Sequence, residues 1–483
     1  MRKKKIVISK LFLYRYRFII GYAILGLAFT TLLFVLPVVA QYGLSQAEID
    51  SATNSFNLSR GGILNGELVD LPYRILQKAS ISIFGLTAYA IKLPSIIIGL
   101  MLGFLFILLL NRWFKSNVSL LASTLITLST PFLFLAGSGT PLIMLVFWPT
   151  LLLWLGSKIQ GEKRPKPLYC FAFALIMLLS LFTPYMVYFA LFCVIFVISQ
   201  PHLRFVIRHL PIIPTIIIGL LLLGGFVLLG VGIHNYPNVI MDLLFTKDFN
   251  INNFFSNIAT SLGPVFSWRS TVESVFLSPL ISLPVFALVL IGLFSTTKGF
   301  FASRNSIATI LILFSLIIAG FNPNAIIFLI LPFSILIAHG FKYILEKWYG
   351  LFPENPYARV SAVLPLIILF SIMIIPNLLQ YVYGYRYNPN IANQFTYTLE
   401  VINENVSSGK LLATNNYDFY KILEHKTDII VVSSLEGNHE NIASLGPLSD
   451  RGEVYRLSEI ITSPMRENSD IIYLYTYTEK EGE

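Results

Sequence analysis

The sequence predicts an all-α polytopic membrane protein of about eleven transmembrane helices, with a small extracytoplasmic α/β domain at its C-terminal end. Three observations carry that prediction. Apolar residues make up 55% of the chain and charged residues only 12%, with a mean hydropathy of +0.72. Windows of roughly 18 or more nearly uncharged residues recur, each long enough as a helix to cross ~30 Å of hydrocarbon. After about residue 385 this texture gives way to short strand-like and helix-like segments. Lipid offers no water to the backbone, so the long windows are helices rather than strands.

The first apolar segment, roughly Phe18 to Ala40, ends in Val38-Val39-Ala40, which resembles a signal-peptide cleavage site. Its apolar run exceeds the ~7–15 residues of such a region, so it reads as an uncleaved anchor. A polar, amphipathic stretch follows to about Ala90. Apolar spans then fall at approximately 93–111, 117–136, 141–157, 168–183, 185–200, 210–233, 277–296, 305–320, 325–342 and 360–381. Thr183-Pro184 divides a run too long for one helix.

The formal charge of +9 is a statement about topology rather than a nucleic-acid partner. With Met1-Arg2-Lys3-Lys4-Lys5 cytoplasmic, the inner loops collect Arg112, Lys115, Lys158, Lys163, Arg164, Lys166, Arg204, Arg208, Lys298, Arg304, Lys342, Lys347 and Arg359. The much longer outer loops hold Arg60, Arg74, Lys78, Lys92, Lys247 and Arg269. This is the positive-inside bias. It places two large loops outside the cytoplasmic membrane, 41–90 and 234–276, together with the tail. The expected division is therefore a transmembrane domain over 1–385 and an α/β domain over 386–483. In the latter, Leu411–Thr414, Asp428–Val432 and Ile471–Tyr475 read as strands, and Asn393–Val406 and Tyr417–Glu424 as helices. Cys170 and Cys193 lie in apolar runs without metal-type spacing and read as small buried hydrophobes.

The stretch Gly43-Leu44-Ser45-Gln46-Ala47-Glu48-Ile49-Asp50, just past the first span, carries two carboxylates in a chain poor in them. Glu48 and Asp50 are two residues apart, so on a helix they point in different directions and cannot share a proton. Either could act singly as a general base; both would also suit the positive end of a short helix. From Arg74 to Ser82 the pattern is amphipathic, with Ile75, Leu76, Ala79 and Ile83 on one face, as for a helix lying on the membrane. Lys78 and Lys92 could snorkel from such a position. Asp242, Lys247 and Asp248 lie in the second large outer loop, a sensible place for acceptor contacts.

Further motifs follow: Leu71-Pro72-Tyr73, then Phe84-Gly85 and, at fixed distance, Lys92-Leu93-Pro94-Ser95 leading into the second span. This arrangement resembles the C-type membrane glycosyltransferases, in particular the protein mannosyltransferase and aminoarabinose transferase group. That group has an Asp-Glu pair after the first span, then Pro-Pro-Leu-Tyr, Phe-Gly and Arg-Leu-Pro-Ser. Glu48 falls on the second acid of the pair, and Ala47 stands where the group has its catalytic Asp. The group's second acid belongs at the turn between the third and fourth spans, which here reads Gly137-Ser138-Gly139-Thr140-Pro141.

The resemblance implies a sugar moved from a polyprenyl-phosphate donor to an acceptor hydroxyl on a glycan, lipid or protein, at the outer face of the membrane. It implies Glu48, with Asp50 second, as the base. Arg60, Arg74, Lys78, Lys247 and Arg269 are the outer-loop cations for the departing phosphate. The sparse outer carboxylates argue against a dedicated divalent-metal site, and no P-loop or dinucleotide fingerprint is present. Two rival readings are a non-catalytic relative serving envelope glycan assembly, and a transporter or flippase. The latter predicts ionisable residues at mid-membrane depth, and the spans are almost free of charge.

Overall fold

The computed structural model describes residues 12–477 except 40–42, 59–67, 161–166, 200–203, 206–211, 245–250, 267–278, 298–302, most of 352–362, 389–390, 392, 407, 414, 435–440, 449–454 and 463–469. In chain order the helices are α1 (Phe12–Val39), α2 (Gln46–Phe56), α3 (Leu71–Phe84), α4 (Ala88–Trp113), α5 (Ser116–Thr127), α6 (Thr130–Gly137), α7 (Met144–Gln160), α8 (Pro167–Ser180) and α9 (Met186–Ser199). They continue with α10 (Ile212–Asn235), α11 (Asn238–Leu244), α12 (Phe254–Phe266), α13 (Leu283–Thr297), α14 (Ser303–Phe321), α15 (Ile330–Leu351) and α16 (Val363–Tyr387). Two more, α17 (Thr398–Asn405) and α18 (Tyr417–Tyr420), belong to the tail.

Among the described residues, six helices are long and apolar enough to cross a membrane, and α5 and α6 form a seventh, bent span. With four shorter apolar helices, α8, α9, α13 and α14, the apolar segments number eleven, at the expected positions. The third segment differs from expectation in shape. It bends by 64° between α5 and α6, because Pro131 sits in the first turn of α6 and cannot continue the ladder of α5. At the break Ser129 Oγ donates to the Ile126 carbonyl at 2.6 Å. Between α13 and α15 the backbones touch: a Cβ at Gly292 would overlap the Leu336 carbonyl, and one at Gly340 the Leu288 carbonyl. Small residues at a helix crossing are the usual device for close packing in lipid.

The tail is a five-stranded sheet in the order β4-β3-β5-β7-β6, built from β3 (Ser408–Leu412), β4 (Asp428–Val432), β5 (Asn441–Ser444), β6 (Tyr455–Thr462) and β7 (Ile471–Tyr477). β3 pairs in parallel with β4 and β5, and β7 antiparallel with β5 and β6. Three of these strands were expected. β5 is only four residues long, and β6 is a mostly exposed edge strand without apolar alternation, so neither advertises itself.

The tail does not stand apart from the bundle. β1 (Leu44–Ser45), at the end of the first span, pairs antiparallel with β2 (Phe395–Thr396). Gly43 has φ 79°, and a Cβ there would overlap the Thr396 carbonyl. Leu44, Ile49, Ala52, Ile81, Leu86 and Ile91 share one buried cluster with Leu399, Ile402, Leu411, Phe419, Leu423 and Ile472. Polar ties reinforce it: Asn403 Nδ2 donates to the Leu86 carbonyl at 3.1 Å, and Lys426 Nζ to that of Ile83. The first loop and the tail thus fold as one body. On α3, Ile75, Leu76, Ile83 and Phe84 are left exposed, which fits the face expected to lie on the membrane.

Candidate active site

Two polar assemblies occupy the tail-bearing end of the bundle. The first is a closed hub. Ser45 caps α2, and Ser45-Gln46-Ala47-Glu48 forms a complete capping box. Glu48 Oε2 accepts from Ser45 N at 2.8 Å and Ser45 Oγ at 3.1 Å. Its Oε1 accepts from Gly139 N at 2.6 Å and lies 3.9 Å from Lys92 Nζ. Lys92 in turn donates to the Gly43 carbonyl at 2.8 Å and sits 6.0 Å from the Phe395 ring. Glu48 is 1% exposed and Lys92 2%. From the tail, burial pushes the Glu400 carboxyl above its usual range, and Lys92 partly opposes the shift.

Gln77, 0% exposed, completes the hub with every amide position used. Its oxygen accepts from Ser51 Oγ and Ser55 Oγ at 2.9 and 2.7 Å. Its nitrogen donates to the Gly139 and Ile91 carbonyls at 2.8 and 3.1 Å. Tyr73 Oη and Ser95 Oγ lie 2.8 Å apart, and Ser95 Oγ donates to the Thr140 carbonyl at 3.2 Å. The hub therefore fastens α2, α3, α4 and the 137–141 turn to one another.

The second assembly is an open cavity of about 230 Å³ walled in part by Pro141 and Leu142, which continue that turn. It is lined by Asp70, Pro141, Leu142, Leu145, Pro184, Tyr185, Asp242, Asn322, Asn324 and Ala325. These come from five separate places in the chain: the residue before α3, the start of α7, the α8/α9 turn, α11 and the α14/α15 turn. Every loop expected on the outer side contributes to it.

Two of the lining residues, Asp70 at φ 55° and Tyr185 at φ 64°, are non-glycine residues in the left-handed region. Asp tolerates that region; for a bulky Tyr it is an outlier held by its surroundings. The restraints are visible. Asp70 N donates to the Phe182 carbonyl at 2.8 Å, and Tyr185 N to the Leu243 carbonyl at 2.9 Å. Trp148 Nε1 donates to Thr183 Oγ1 at 2.9 Å, and Asn322 Nδ2 to Tyr185 Oη at 2.9 Å.

Asp70 makes no side-chain cap to its own helix. Burial pushes its carboxyl up to about 7, with Arg74 opposing the shift. A carboxyl with that value exchanges a proton readily at neutral pH, which is what general acid–base chemistry requires. Among the described residues that line the cavity none is cationic; Arg74, half-buried, lies one turn along α3.

Of the residues singled out in the sequence, Glu48 is enclosed in the hub and Asp50 is exposed on α2, accepting from Gln46 Nε2 at 2.9 Å. Lys78 donates to the Leu58 carbonyl and lies 5.9 Å from the Phe56 ring. Lys92 is buried rather than snorkelling. Arg60, Lys247 and Arg269 lie outside the described residues. Asp70, Tyr185, Asn322 and Asn324 carried no expectation; the one available sign was that Asp70 directly precedes Leu71-Pro72-Tyr73. No group of three or more His, Cys, Asp or Glu suited to a metal ion occurs among the described residues.

No family model and no curated protein matches the chain. Solved structures do. The chain is similar to ArnT from Cupriavidus metallidurans in the apo state, with 12% identity, a TM-score of 0.54, and coverage of 94% of this chain and 98% of that one. It is also similar to the oligosaccharyltransferase AglB from Archaeoglobus fulgidus in complex with an inhibitory peptide and a dolichol-phosphate. There the identity is 12%, the TM-score 0.50, and the coverage 90% of this chain and 70% of that one. The fold is thus that of the C-type membrane glycosyltransferases, with a small C-terminal α/β domain.

Proposed function

We propose that this protein is a glycosyltransferase that moves a sugar from a polyprenyl-phosphate donor to an acceptor hydroxyl at the outer face of the cytoplasmic membrane, with Asp70 as its base. The observation that carries the reading is the cavity where the five outer turns meet, holding a carboxyl poised near neutrality. The dolichol-phosphate held by the AglB neighbour is a donor-type lipid of the kind the reading requires.

In this mechanism Asp70 accepts the proton of the acceptor hydroxyl as its oxygen attacks the anomeric carbon. The bond from that carbon to the phosphate oxygen breaks, and polyprenyl phosphate leaves with the electron pair. Arg74, whose charge already acts on Asp70, is the described cation to offset the charge that develops. Arg60, Lys247 and Arg269, on the same outer loops, are the further cations for the phosphate. Glu48 holds the site together instead of taking the proton, since its oxygens are occupied by Ser45, Gly139 and Lys92.

A second reading is favoured by Ala47 and the carboxylate-free 137–141 turn: a relative that binds the donor without transferring its sugar, serving assembly of an envelope glycan. One experiment separates the two. Purified protein in lipid is incubated with a panel of short-chain polyprenyl-phosphate sugars, and free polyprenyl phosphate is followed for wild type, Asp70→Asn and Glu48→Gln. Release that vanishes in Asp70→Asn supports the transferase. Donor binding without release in wild type supports the assembly partner.

A further inference from the structure

On the premise that the cavity is a sugar-transfer site, Tyr185 has a proton to offer there. The Asn322 amide is fixed in orientation: Oδ1 accepts from Asn324 N at 3.0 Å, so Nδ2 is the atom directed at Tyr185 Oη, at 2.9 Å. An amide nitrogen can only donate. The phenol oxygen is therefore an acceptor in that bond, and its own O–H points elsewhere. Among the described residues no protein acceptor takes that proton, although Tyr185 is only 4% exposed. The space it faces is the cavity.

The chemistry of the lining limits what can meet that proton. Asp70 and Asp242 offer acceptors and negative charge; Tyr185 offers a donor. A phosphate carries only acceptors and would be repelled by the carboxylates, while an ammonium has nothing to receive the tyrosine proton. A neutral polyhydroxyl ring satisfies both, one hydroxyl donating to a carboxylate while another oxygen accepts from Tyr185. The open cavity of about 230 Å³ has room for a sugar ring.

We infer that Tyr185 is a sugar-binding residue whose O–H, aimed by Asn322, holds one oxygen of a neutral sugar ring in the cavity. The strained backbone places the phenol there, because an ordinary helical entry at this turn would send the side chain in a different direction.

The test is a chemical double-mutant cycle read by equilibrium binding in lipid nanodiscs, without acceptor so that no donor is consumed. The probes are short-chain polyprenyl-phosphate mannose, glucose and galactose with their single-deoxy forms. One deoxy form is expected to bind about tenfold more weakly than its parent to protein with Tyr185, and no more weakly than its parent to Tyr185→Phe. Asn322→Asp provides a second arm. Its carboxylate would take the tyrosine proton for itself and abolish the same coupling while the phenol remains. Equal losses in both proteins for every deoxy position, or no binding of any parent sugar by folded protein, would overturn the inference. Turnover that persists in Asp70→Asn, measured separately with acceptor present, would sink the base assignment alone and leave the cycle readable.

Discussion

Glu48→Gln separates a catalytic from a structural role for the buried carboxylate beside Lys92. As a base, Glu48 would be dispensable for folding. In the hub it neutralises Lys92 at 3.9 Å with both groups buried, an attraction of about 4 kcal/mol at an effective dielectric near 20. Glutamine removes that charge and turns one acceptor into a donor. Either Ser45 or Gly139 then meets an amide N–H with its own N–H, adding about 1–3 kcal/mol for a buried group left unsatisfied. The two effects overlap, so a loss of about 4 kcal/mol is expected, within the range for breaking a buried pair. Lys92→Met in the same chain should recover part of it, because the buried ammonium that has lost its 3.9 Å carboxylate is gone. The assay is denaturant unfolding in one detergent, alongside polyprenyl phosphate release normalised to the folded fraction. Unchanged stability with abolished release would refute this reasoning and restore Glu48 as the base.

Other consequences can be checked separately. Release by wild type should rise with pH through a midpoint near 7, since Asp70 must be deprotonated to act, and Asp70→Asn should lose that inflection. The folded carboxyl at about 7 lies above its ordinary 3.8, so the folded state holds the proton more tightly. Its contribution to stability is full below the ordinary value and lost as pH rises through about 7. Asp70→Asn should therefore match wild type near pH 4 and exceed it near pH 8, by up to about 4 kcal/mol less whatever water in the cavity screens. Gly43→Ala must relieve an overlap with Thr396 and leave its φ of 79°, so the tail should become susceptible to limited proteolysis after a loss of about 2 kcal/mol. Gln77→Leu removes four hydrogen bonds, to two serines and two carbonyls, and should lower stability by about 3 kcal/mol in the same unfolding assay.

The spans were legible because lipid leaves a crossing segment little choice: about twenty apolar residues in a helix. The break at Thr183-Pro184 was equally plain, and Pro131 offered the same signal for the α5/α6 bend. Glu48 is more instructive. Ser45-Gln46-Ala47-Glu48 spells the Ser-x-x-Glu of a capping box, which already ties the carboxylate to the backbone of its own helix. Its burial was not legible, because that depends on β1 meeting β2 some 350 residues later and on Gly139 arriving from a third segment. The cavity was hidden for the same reason. Asp70, Tyr185, Asp242 and Asn322 have no shared local pattern; only the closing of five turns onto one point makes them neighbours.

The 137–141 turn explains how a chain without the expected acids can still gather carboxylates at one cavity. One side of the turn is held by the hub: Gly139 N by Glu48, the Gly139 carbonyl by Gln77 and the Thr140 carbonyl by Ser95. Its continuation, Pro141 and Leu142, is a wall of the cavity. The position where the resembling group carries an acid is here a partition, rigid because three buried side chains grip its backbone. The acids stand on the cavity side: Asp70 from the first loop and Asp242 from α11. A contact between a base and a reacting oxygen needs only that the two be held within hydrogen-bond reach in one space. A partition fixed from behind satisfies that condition as well as an acid placed on the turn itself, and it frees Glu48 to serve the fold.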